Sequence, residues 1–450
     1  MTHRGILFRS LASVGRCWPL LALVLVGLGV GAAQAENWPQ FRGPLYNGST
    51  TETNLPTKWS LTENVRWSID LPGPSSATPA VWGDQVFVSS TDLQNDALKA
   101  FCFDRLTGRL LWQHDVAKGV RKDTRSTFSG PSPATDGKVV VFWYGNGDLV
   151  AYDLAGSQQW QKNVGPFAFQ WTFSTSPVIY DGKLFLQILQ RDTAVGGQGL
   201  PSGNPSFILA LDPATGKELW KQERPSSAAA ESLESFATPM PFEYEGRREL
   251  LVVGGDVITG HDVATGKELW RWGTWNPERI GHWRLVPSPI AGNGVVLACA
   301  PKKSPIYAVP LGKTGMIPTN QLLWISDVTD TAQRHLSSDV PTPAFYDGDF
   351  FILNEARNSL SRVEPRTGKI KWTMETPGRS KYEASPLAAD GKLYLINFDG
   401  EVAVVNAADG KLINVVPMDP DPKGFIRSSV IAAHGNLFIR TENRLYCIGK

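Results

Sequence analysis

Short apolar runs recur along the chain, and residues that favour turns separate them. Val139–Trp143 and Lys392–Ile396 are two examples, and an Asp-Gly dipeptide comes shortly before each of them. Glycine tolerates the positive φ that a tight turn requires, so Asp-Gly between two apolar runs indicates a β-hairpin. The pattern therefore predicts an all-β fold built from many short antiparallel strands.

A Ser/Thr-Pro pair opens these runs at regular intervals. The spacing between successive pairs averages about 51 residues, a period typical of propellers and other repeat arrays. An eighth copy follows as Ser429-Val430, in which valine replaces proline. The seven complete copies are Thr78-Pro79, Ser132-Pro133, Ser176-Pro177, Thr238-Pro239, Ser288-Pro289, Thr342-Pro343 and Ser385-Pro386.

A further motif closes each repeat unit. Its fullest form is ALDPATGKELW over residues 210–220, and around Trp324 only the tryptophan remains. Thr-Gly suits a turn into an outer strand, the aspartate can accept local backbone N–H bonds, and the tryptophan can fill a gap against the neighbouring unit. The tryptophans at this position are Trp67, Trp112, Trp160, Trp220, Trp270, Trp324 and Trp372.

The pattern Ala-x-Asp-x-x-Thr-Gly-x-x-x-Trp, with its Ser/Thr-Pro pair, resembles the tryptophan-docking motif of pyrroloquinoline-quinone-like (quinoprotein-type) β-propellers. The resemblance covers about residues 64–450 and implies four-stranded antiparallel blades around a central channel. The repeat count gives eight blades, but the last repeat lacks an outer strand. Residues 64–69 form an orphan strand that carries Trp67. We therefore predict a single eight-bladed β-propeller over 64–450, closed by an N-terminal strand that completes the last blade and removes two sheet edges.

The N-terminus has the features of an export signal. Three arginines precede an apolar run over residues 20–30, and residues 33–35 give the small-x-small pattern of a cleavage site. We predict that residues 1–35 are a signal peptide cleaved near Ala35, which sends the protein to the periplasm or the extracellular space. An uncleaved anchor is the alternative, but the apolar run is short for a membrane span. Residues 36–63 are predicted to form an arm that packs its aromatic side chains on the ring, with a docking peptide as the alternative.

Composition and charge exclude several other classes of protein. The 16 Trp are more than a disordered chain would carry, and the 43 Gly and 32 Pro fit a fold rich in turns. Three of the 44 Lys+Arg lie within residues 1–35, which leaves 41 cations against 43 acids. No basic excess remains to attract nucleic acid. Cys102, Cys299 and Cys447 are flanked by apolar residues, which favours buried thiols over a disulfide framework or a metal site.

Candidate binding residues come from the loops that join each outer strand to the next inner strand. These loops should gather at one end of the channel, here called the mouth, where aromatic faces and both signs of charge would suit a polar ligand with a flat ring or sugar face. The alternative is that aromatic residues plug the channel while Arg284–Asp339 and Glu383–Arg427 form structural ion pairs. The predicted ligand-binding residues are Trp171, Arg284, His335, Asp339, Tyr382, Glu383 and Arg427.

Two longer loops give a second candidate surface. Residues 113–130 contain a basic cluster, and residues 271–284 combine three tryptophans with basic side chains. Such loops could hold a partner peptide, an anionic glycan or lipid headgroups. Packing over blade 4 or 5 is the alternative for 271–284.

The resemblance implies two classes of function. Periplasmic assembly factors of outer-membrane β-barrels share this repeat, bind partners through inter-blade loops and use no quinone. Quinoprotein dehydrogenases instead use pyrroloquinoline quinone (PQQ) held by Ca²⁺, with an adjacent Cys-Cys pair that this chain lacks. Asp339 and Glu383 are the acids available as Ca²⁺ ligand and base.

We therefore expect a non-catalytic binding or assembly scaffold of the cell envelope that needs no cofactor. Its expected partner is an envelope protein or a small polar or glycan ligand, and neither nucleic-acid binding nor a membrane span is expected. We expect the protein to be a monomer. The alternative is a PQQ- and Ca²⁺-dependent alcohol or sugar dehydrogenase that uses the mouth of the channel.

Overall fold

The computed structural model describes residues 36–273, 275–419 and 426–449. Strands in these ranges form eight small sheets arranged as a ring, which confirms the predicted all-β, eight-bladed propeller. The predicted signal peptide lies outside the described residues. None of the helices found in the described residues has the length and apolar content of a transmembrane span.

The first four complete blades follow each other along the chain after the N-terminal strand β1 (Val65–Asp70). Blade 1 consists of β2 (Ala80–Trp82), β3 (Gln85–Asp92), β4 (Ala97–Asp104) and β5 (Leu110–Lys118). Blade 2 consists of β6 (Ala134–Thr135), β7 (Val139–Trp143), β8 (Asp148–Asp153) and β9 (Gln158–Asn163). Blade 3 consists of β10 (Val178–Tyr180), β11 (Lys183–Ile188), β12 (Phe207–Leu211) and β13 (Glu218–Glu223). Blade 4 consists of β14 (Met240–Tyr244), β15 (Arg247–Gly254), β16 (Val257–Asp262) and β17 (Glu268–Trp272).

The remaining blades continue in the same order. Blade 5 consists of β18 (Ile290–Gly292), β19 (Val295–Cys299), β20 (Ile306–Pro310) and β22 (Trp324–Ile325), while β21 (Gly315–Met316) joins blade 4. Blade 6 consists of β23 (Ala344–Tyr346), β24 (Asp349–Asn354), β25 (Ser359–Val363) and β26 (Ile370–Glu375). Blade 7 consists of β27 (Leu387–Ala389), β28 (Lys392–Ile396), β29 (Glu401–Asn406) and β30 (Leu412–Pro417). Blade 8 has β31 (Ile431–Ala433), β32 (Asn436–Arg440) and β33 (Arg444–Ile448). Single-turn 3-10 helices span Ala230–Leu233, Thr319–Gln321 and Gln333–His335.

Strand β1 completes blade 8, as the sequence predicts. It pairs antiparallel with β33, and Trp67 lies opposite Cys447. The order of this sheet is β1-β33-β32-β31, so strands from the two ends of the ring share one blade. Because β1 and β33 are hydrogen-bonded to each other, the edges at which these two strands meet are not exposed.

The Ser/Thr of each Ser/Thr-Pro pair links neighbouring blades. The backbone N–H of Thr78 donates to the Ser132 hydroxyl at 2.9 Å, and the N–H of Ser132 donates to the Ser176 hydroxyl at 3.0 Å. The same bond recurs from blade 3 to blade 4, from 4 to 5, from 5 to 6 and from 6 to 7. The pair precedes the first strand of its blade, and the first strands contact each other between blades 1 and 2, 2 and 3, 5 and 6, 6 and 7, and 7 and 8. The repeat therefore marks a series of hydrogen bonds between neighbouring blades.

The tryptophan motif also connects blades. Gly108 of blade 1 has φ +74°, and a Cβ built there would lie 2.8 Å from the ring of Trp67 in β1. The Trp67 indole N–H donates to the Arg105 carbonyl in the same turn at 2.8 Å. The same stacking of a tryptophan on the motif glycine of the next blade joins Trp112 to Gly156, Trp160 to Gly216, Trp220 to Gly266, Trp324 to Gly368 and Trp372 to Gly410.

Trp270 departs from this arrangement. Its indole N–H donates to the Glu249 carboxylate of its own blade at 2.5 Å, and its ring covers Gly260 of that blade. Blade 5 lacks the Asp-x-x-Thr-Gly turn, so no motif glycine is available to receive the ring. Strand β21 instead pairs parallel with β17, with Gly315 opposite Trp270.

The N-terminal arm packs on the ring, at the end of the channel away from the mouth. Trp38 and Val81 exchange two backbone hydrogen bonds, of 3.0 and 2.7 Å, which attach the arm to blade 1. The Gln40 side chain accepts from the backbone N–H of Ile179 at 2.8 Å and donates to its carbonyl at 3.3 Å. The arm thus reaches the first strand of blade 3.

Arg42 attaches the arm to blades 6 and 7. Its guanidinium donates to the carbonyls of Pro343 at 2.7 Å and Pro386 at 3.0 Å, which lie just before the first strands of blades 6 and 7. It also donates to the Asn47 carbonyl at 3.2 Å, and it packs so closely on Gly48 that a Cβ there would collide with it. One side chain therefore holds the arm to two blades.

Candidate functional site

Loops from several blades form a pocket of about 500 Å³ at the mouth of the channel, here called the mouth pocket. Four of the seven predicted ligand-binding residues line it: Trp171, Arg284, Glu383 and Arg427. Phe236 adds an aromatic face, and Arg125 adds a third guanidinium. The structure therefore brings together residues that lie far apart in the sequence.

Glu383 and Arg427 form an ion pair with 2.9 Å between Oε2 and Nε. Arg427 also donates to the Arg125 carbonyl at 2.9 Å, and its guanidinium lies 5.0 Å from the ring centroid of Phe398. Burial lowers the pKa of Arg427, while the Glu383 charge opposes that shift. The expected structural pairing of these two side chains is thus present, and it fixes both of them at the mouth.

Trp171 is held between an arginine and a carboxylate. The Arg125 guanidinium lies 5.7 Å from the centroid of its ring, within the range of a cation–π contact. Its indole N–H donates to Glu231 Oε1 at 3.1 Å. The same oxygen lies 3.8 Å from Arg284 Nε, so Arg284 pairs with Glu231 rather than with Asp339.

Three of the predicted residues lie outside the mouth pocket. Tyr382 is buried in the core of blades 6 and 7, where its hydroxyl donates to the Pro377 carbonyl at 3.1 Å. His335 Nδ1 lies 2.9 Å from the Ser359 hydroxyl, and burial lowers its pKa. Asp339 accepts from the backbone N–H of Lys302 at 3.0 Å. Val340, which follows Asp339 in the sequence, lines the pocket.

Sequence reasoning missed two contributors to the mouth. Arg125 belongs to the basic loop over residues 113–130, which was assigned to a separate surface. The basic cluster itself was the available signal, but only the folded ring shows that this loop reaches the mouth. Glu231 gave no signal, because it lies in a 3-10 helix that the strand pattern does not predict.

In the other long loop, residues 271–284, two of the three tryptophans pack in the core rather than form an exposed binding surface. Trp272 and Trp275 are buried, with ring centroids 5.5 Å apart, and Trp272 lies 4.7 Å from the ring of Tyr307. Phe173 is likewise buried, and its ring centroid lies 4.6 Å from that of Trp143. These aromatic side chains belong to the core between blades.

Two buried carboxyl groups lie near the mouth loops. Burial, together with the charges of Asp339 and Glu383, raises the pKa of Glu355 to about 7. Burial also raises the pKa of Glu234 to about 7, although a hydrogen bond from Arg191 at 2.5 Å opposes that shift. Both groups therefore exchange protons near neutral pH.

The described residues do not fit a Ca²⁺-held quinone. Nowhere in the described ranges do three or more His, Cys, Asp or Glu side chains come together in a way that could hold a metal ion. The two acids considered for Ca²⁺ are engaged otherwise, Glu383 with Arg427 and Asp339 with Lys302. Cys102, Cys299 and Cys447 are buried free thiols, and burial raises the pKa of each to about 12.

Fold and repeat define the chain as a quinoprotein-type β-propeller. The family model described as outer membrane protein assembly factor BamB matches residues 49–194, 168–309 and 316–450. The chain therefore belongs to this family, designated PQQ_2.

A dehydrogenase is similar in sequence. The polyvinylalcohol dehydrogenase of a Pseudomonas species is 29% identical over 415 aligned positions, which cover 78% of this chain and 62% of that enzyme. The chain thus spans less than two thirds of the length of the curated relatives it matches, and only 49% of the quinohemoprotein alcohol dehydrogenase ADH IIB of Pseudomonas putida.

Solved structures share the fold at low identity. A europium-containing methanol dehydrogenase superposes with a TM-score of 0.66 at 10% identity, covering 92% of this chain and 98% of that one. BamB from Moraxella catarrhalis superposes with a TM-score of 0.59 at 14% identity, covering 85% of this chain and 98% of that one. These likenesses concern the propeller fold alone.

Proposed function

We propose that this protein is an exported, monomeric, non-catalytic propeller of the cell envelope that binds a partner or a polar ligand at its mouth. The observation that carries the proposal is the mouth pocket, where side chains from distant loops converge around one opening. Its charged groups are held in place by neighbours, as in the Glu383–Arg427 and Trp171–Glu231 contacts. A site that is already ordered loses little conformational freedom when it binds.

The family supports the same proposal. Its description names an outer membrane protein assembly factor. We infer that Trp171, Arg284, Glu383 and Arg427 contact the ligand or partner, with Arg125 beside them. Tyr382, Asp339 and His335 act from outside the pocket by supporting the loops around it.

Site-specific crosslinking tests the binding role. A photoreactive amino acid replaces Val286 or Val340, which line the mouth pocket, in cells that produce the protein. The matched control places it at Leu219, an exposed position on β13. We expect one defined adduct from both mouth positions and none from Leu219. The proposal would be contradicted if no adduct formed specifically at the mouth and if native mass spectrometry of the purified protein showed no bound ligand.

Dehydrogenase activity is the alternative, since curated relatives carry that name. Purified full-length protein is mixed with PQQ and Ca²⁺, and Tm and dye-linked alcohol oxidation are measured. A tight ligand raises stability by RT ln(1 + [L]/Kd), which is about 2.7 kcal/mol at a hundredfold excess over Kd. We expect no change in Tm and no turnover. A saturable rise in Tm with turnover that Glu383→Gln abolishes would establish the enzyme instead.

A further inference from the structure

A second pocket of about 450 Å³ opens beside the mouth pocket, where blade 8 meets blade 1, and is here called the side pocket. The two pockets are continuous in their lining, because both include Ser76, Arg125, Ser126 and Arg427. Two carboxylates, Asp123 and Glu442, also line the side pocket. Its four cationic side chains are Lys122, Arg125, Arg427 and Arg440.

Arg440 supplies a buried positive charge without a carboxylate. Its side chain is 1% exposed, and its guanidinium donates to the Ser89 carbonyl at 2.6 Å and approaches the Ser90 hydroxyl at 3.5 Å. Its Nε has no hydrogen-bond partner among the described residues. Burial lowers its pKa to about 9, so it remains charged at neutral pH. A buried charge is costly unless an opposite charge accompanies it.

The two carboxylates of the side pocket interact with groups other than Arg440. Asp123 accepts from the backbone N–H of Thr172 at 2.6 Å and from that of Arg125 at 2.6 Å. Glu442 lies 3.5 Å from Lys122 Nζ, near the rim. Neither lies within ion-pair distance of Arg440. The lining of the side pocket therefore includes a positive charge, that of Arg440, with which no carboxylate of the described residues forms an ion pair.

Burial of an arginine alone does not define such a site. Arg42 is also buried and has an unpartnered Nε, yet it donates to three carbonyls and lines neither of these two pockets. Arg440 differs because it lines an opening that three more cations also line. The combination of an unneutralised charge with space for a counter-ion indicates an anion site.

We propose that the side pocket binds the oxyanion of an acidic sugar, a carboxylate or a sulfate, through Arg440, Arg125 and Arg427. This assignment rests on the proposal that the mouth binds a ligand, and it names the chemical class of that ligand. Guanidinium groups match the geometry of oxyanions through paired N–H donors. The sugar ring would then extend into the mouth pocket, where Trp171 and Phe236 provide aromatic faces.

The lining favours a sugar over an acidic peptide. Loop side chains line both pockets, whereas peptides commonly bind along an extended groove or a sheet edge. The hydroxyls of Ser76 and Ser126, 3.2 Å apart, stand where the two pockets join and suit the hydroxyls of a sugar ring. The oxyanion and the ring would thus be recognised by adjacent groups.

Calorimetric titration of the full-length protein tests this assignment. The probes are D-glucuronate, D-glucose 6-sulfate, uncharged D-glucose and poly-L-glutamate, all at one ionic strength set with NaCl. We expect D-glucuronate or D-glucose 6-sulfate to bind at least tenfold more tightly than glucose. Whichever of these two acidic sugars binds more tightly shows whether the site prefers a carboxylate or a sulfate. Arg440→Met should weaken that binding tenfold or more, whereas Arg42→Met, which removes a buried arginine elsewhere, should change it less than twofold.

Several results would overturn the assignment. Equal affinity for glucose, equal loss in Arg42→Met, or binding of poly-L-glutamate without either sugar would each exclude an acidic-sugar site. If Arg440→Met does not fold, Lys122→Ala at the half-exposed rim replaces it, with an expected loss of threefold or more. Crosslinking from Val286 is independent of these titrations, so a mouth that binds an uncharged partner would still be detected.

Discussion

The backbone N–H of Ser429 donates to the hydroxyl of Thr78 at 3.3 Å, and this bond joins the last blade to the first. It belongs to the same series of Ser/Thr hydrogen bonds that links blades 1 to 7 in order. The two residues lie 351 positions apart in the sequence. Closure of the ring thus depends on this bond as well as on the pairing of β1 with β33.

Thr78→Val should destabilise the ring at this junction. Valine keeps the shape of threonine but leaves the buried N–H of Ser429 without an acceptor, which costs about 1–2 kcal/mol. Ser429→Ala is the matched control, because the Ser429 hydroxyl accepts none of the inter-blade bonds found in the described residues. Urea unfolding monitored by tryptophan fluorescence measures both. Equal stability of Thr78→Val and the wild type would show that the junction does not need this bond.

Stacking of Trp67 on Gly108 gives a second prediction about closure. Gly108→Ala places a Cβ 2.8 Å from the Trp67 ring and also forces alanine to φ +74°. Gly435→Ala imposes nearly the same backbone strain, at φ +73°, but meets no atom within 4 Å. We expect a loss of about 1–2 kcal/mol for Gly435→Ala and a further loss of about 1–3 kcal/mol for Gly108→Ala.

The difference between the two glycine variants isolates the contact with tryptophan. Thermal unfolding of both proteins under identical conditions measures it, and Trp67→Phe in the Gly108→Ala background should recover part of the loss, because the smaller ring leaves room for the Cβ. Indistinguishable Tm values for Gly108→Ala and Gly435→Ala would mean that Trp67 moves aside without cost.

Arg42 should control attachment of the N-terminal arm. Arg42→Met removes donors to the carbonyls of Pro343 and Pro386 and so weakens the attachment of the arm to blades 6 and 7, which otherwise depends on backbone bonds of Asn47, Gly48 and Thr50. Chymotrypsin should then cleave within residues 36–50 at least tenfold faster than in the wild type. Lys58→Met, at an exposed position of the same arm, serves as the control. Equal cleavage rates in all three proteins would show that the arm is held by its other contacts.

Local repeats predicted the architecture because each carries its own physical cause. A Ser/Thr-Pro pair marks a first strand, and Thr-Gly with Trp marks contact with the next blade, so blade number and closure followed from the sequence. Trp270 shows where this reasoning fails. Its motif is complete, but its orientation depends on a turn that the next blade lacks.

The mouth was less predictable, because loops determine it. Spacing placed Glu383, Arg427, Arg284 and Trp171 near the axis, and the structure brings these four together. Tyr382 is adjacent to Glu383 in sequence, yet its ring lies in the core because neighbouring residues of an extended segment point to opposite sides. Arg125 reaches the mouth through a long loop that no repeat describes.

Glu355 should make stability depend on pH near neutrality. Burial raises its pKa in the folded state to about 7, whereas the unfolded chain ionises near its usual value of 4.5. Between these values the folded protein keeps a proton that the unfolded chain has released. The free energy of unfolding therefore falls as pH rises from 5 to 8, by at most about 3 kcal/mol from this group.

Glu355→Gln removes this dependence, because glutamine does not ionise but can still accept the N–H of Asp339, which lies 3.4 Å from Oε2. We expect the variant to be more stable than the wild type at pH 8 and the difference to shrink towards pH 5. Glu364→Gln is the control, and its pH dependence should differ. Burial alone would raise the pKa of Glu364, but hydrogen bonds from Thr367 and the Arg366 N–H outweigh it and lower that pKa below its usual value of 4.5. Its ionised form stabilises the fold at every pH above about 4.5, so Glu364→Gln should be less stable than the wild type by a nearly constant amount from pH 5 to 8. Urea unfolding at pH 5, 6, 7 and 8 compares the three proteins, and parallel pH profiles for wild type and Glu355→Gln would show that Glu355 is ionised in the folded state.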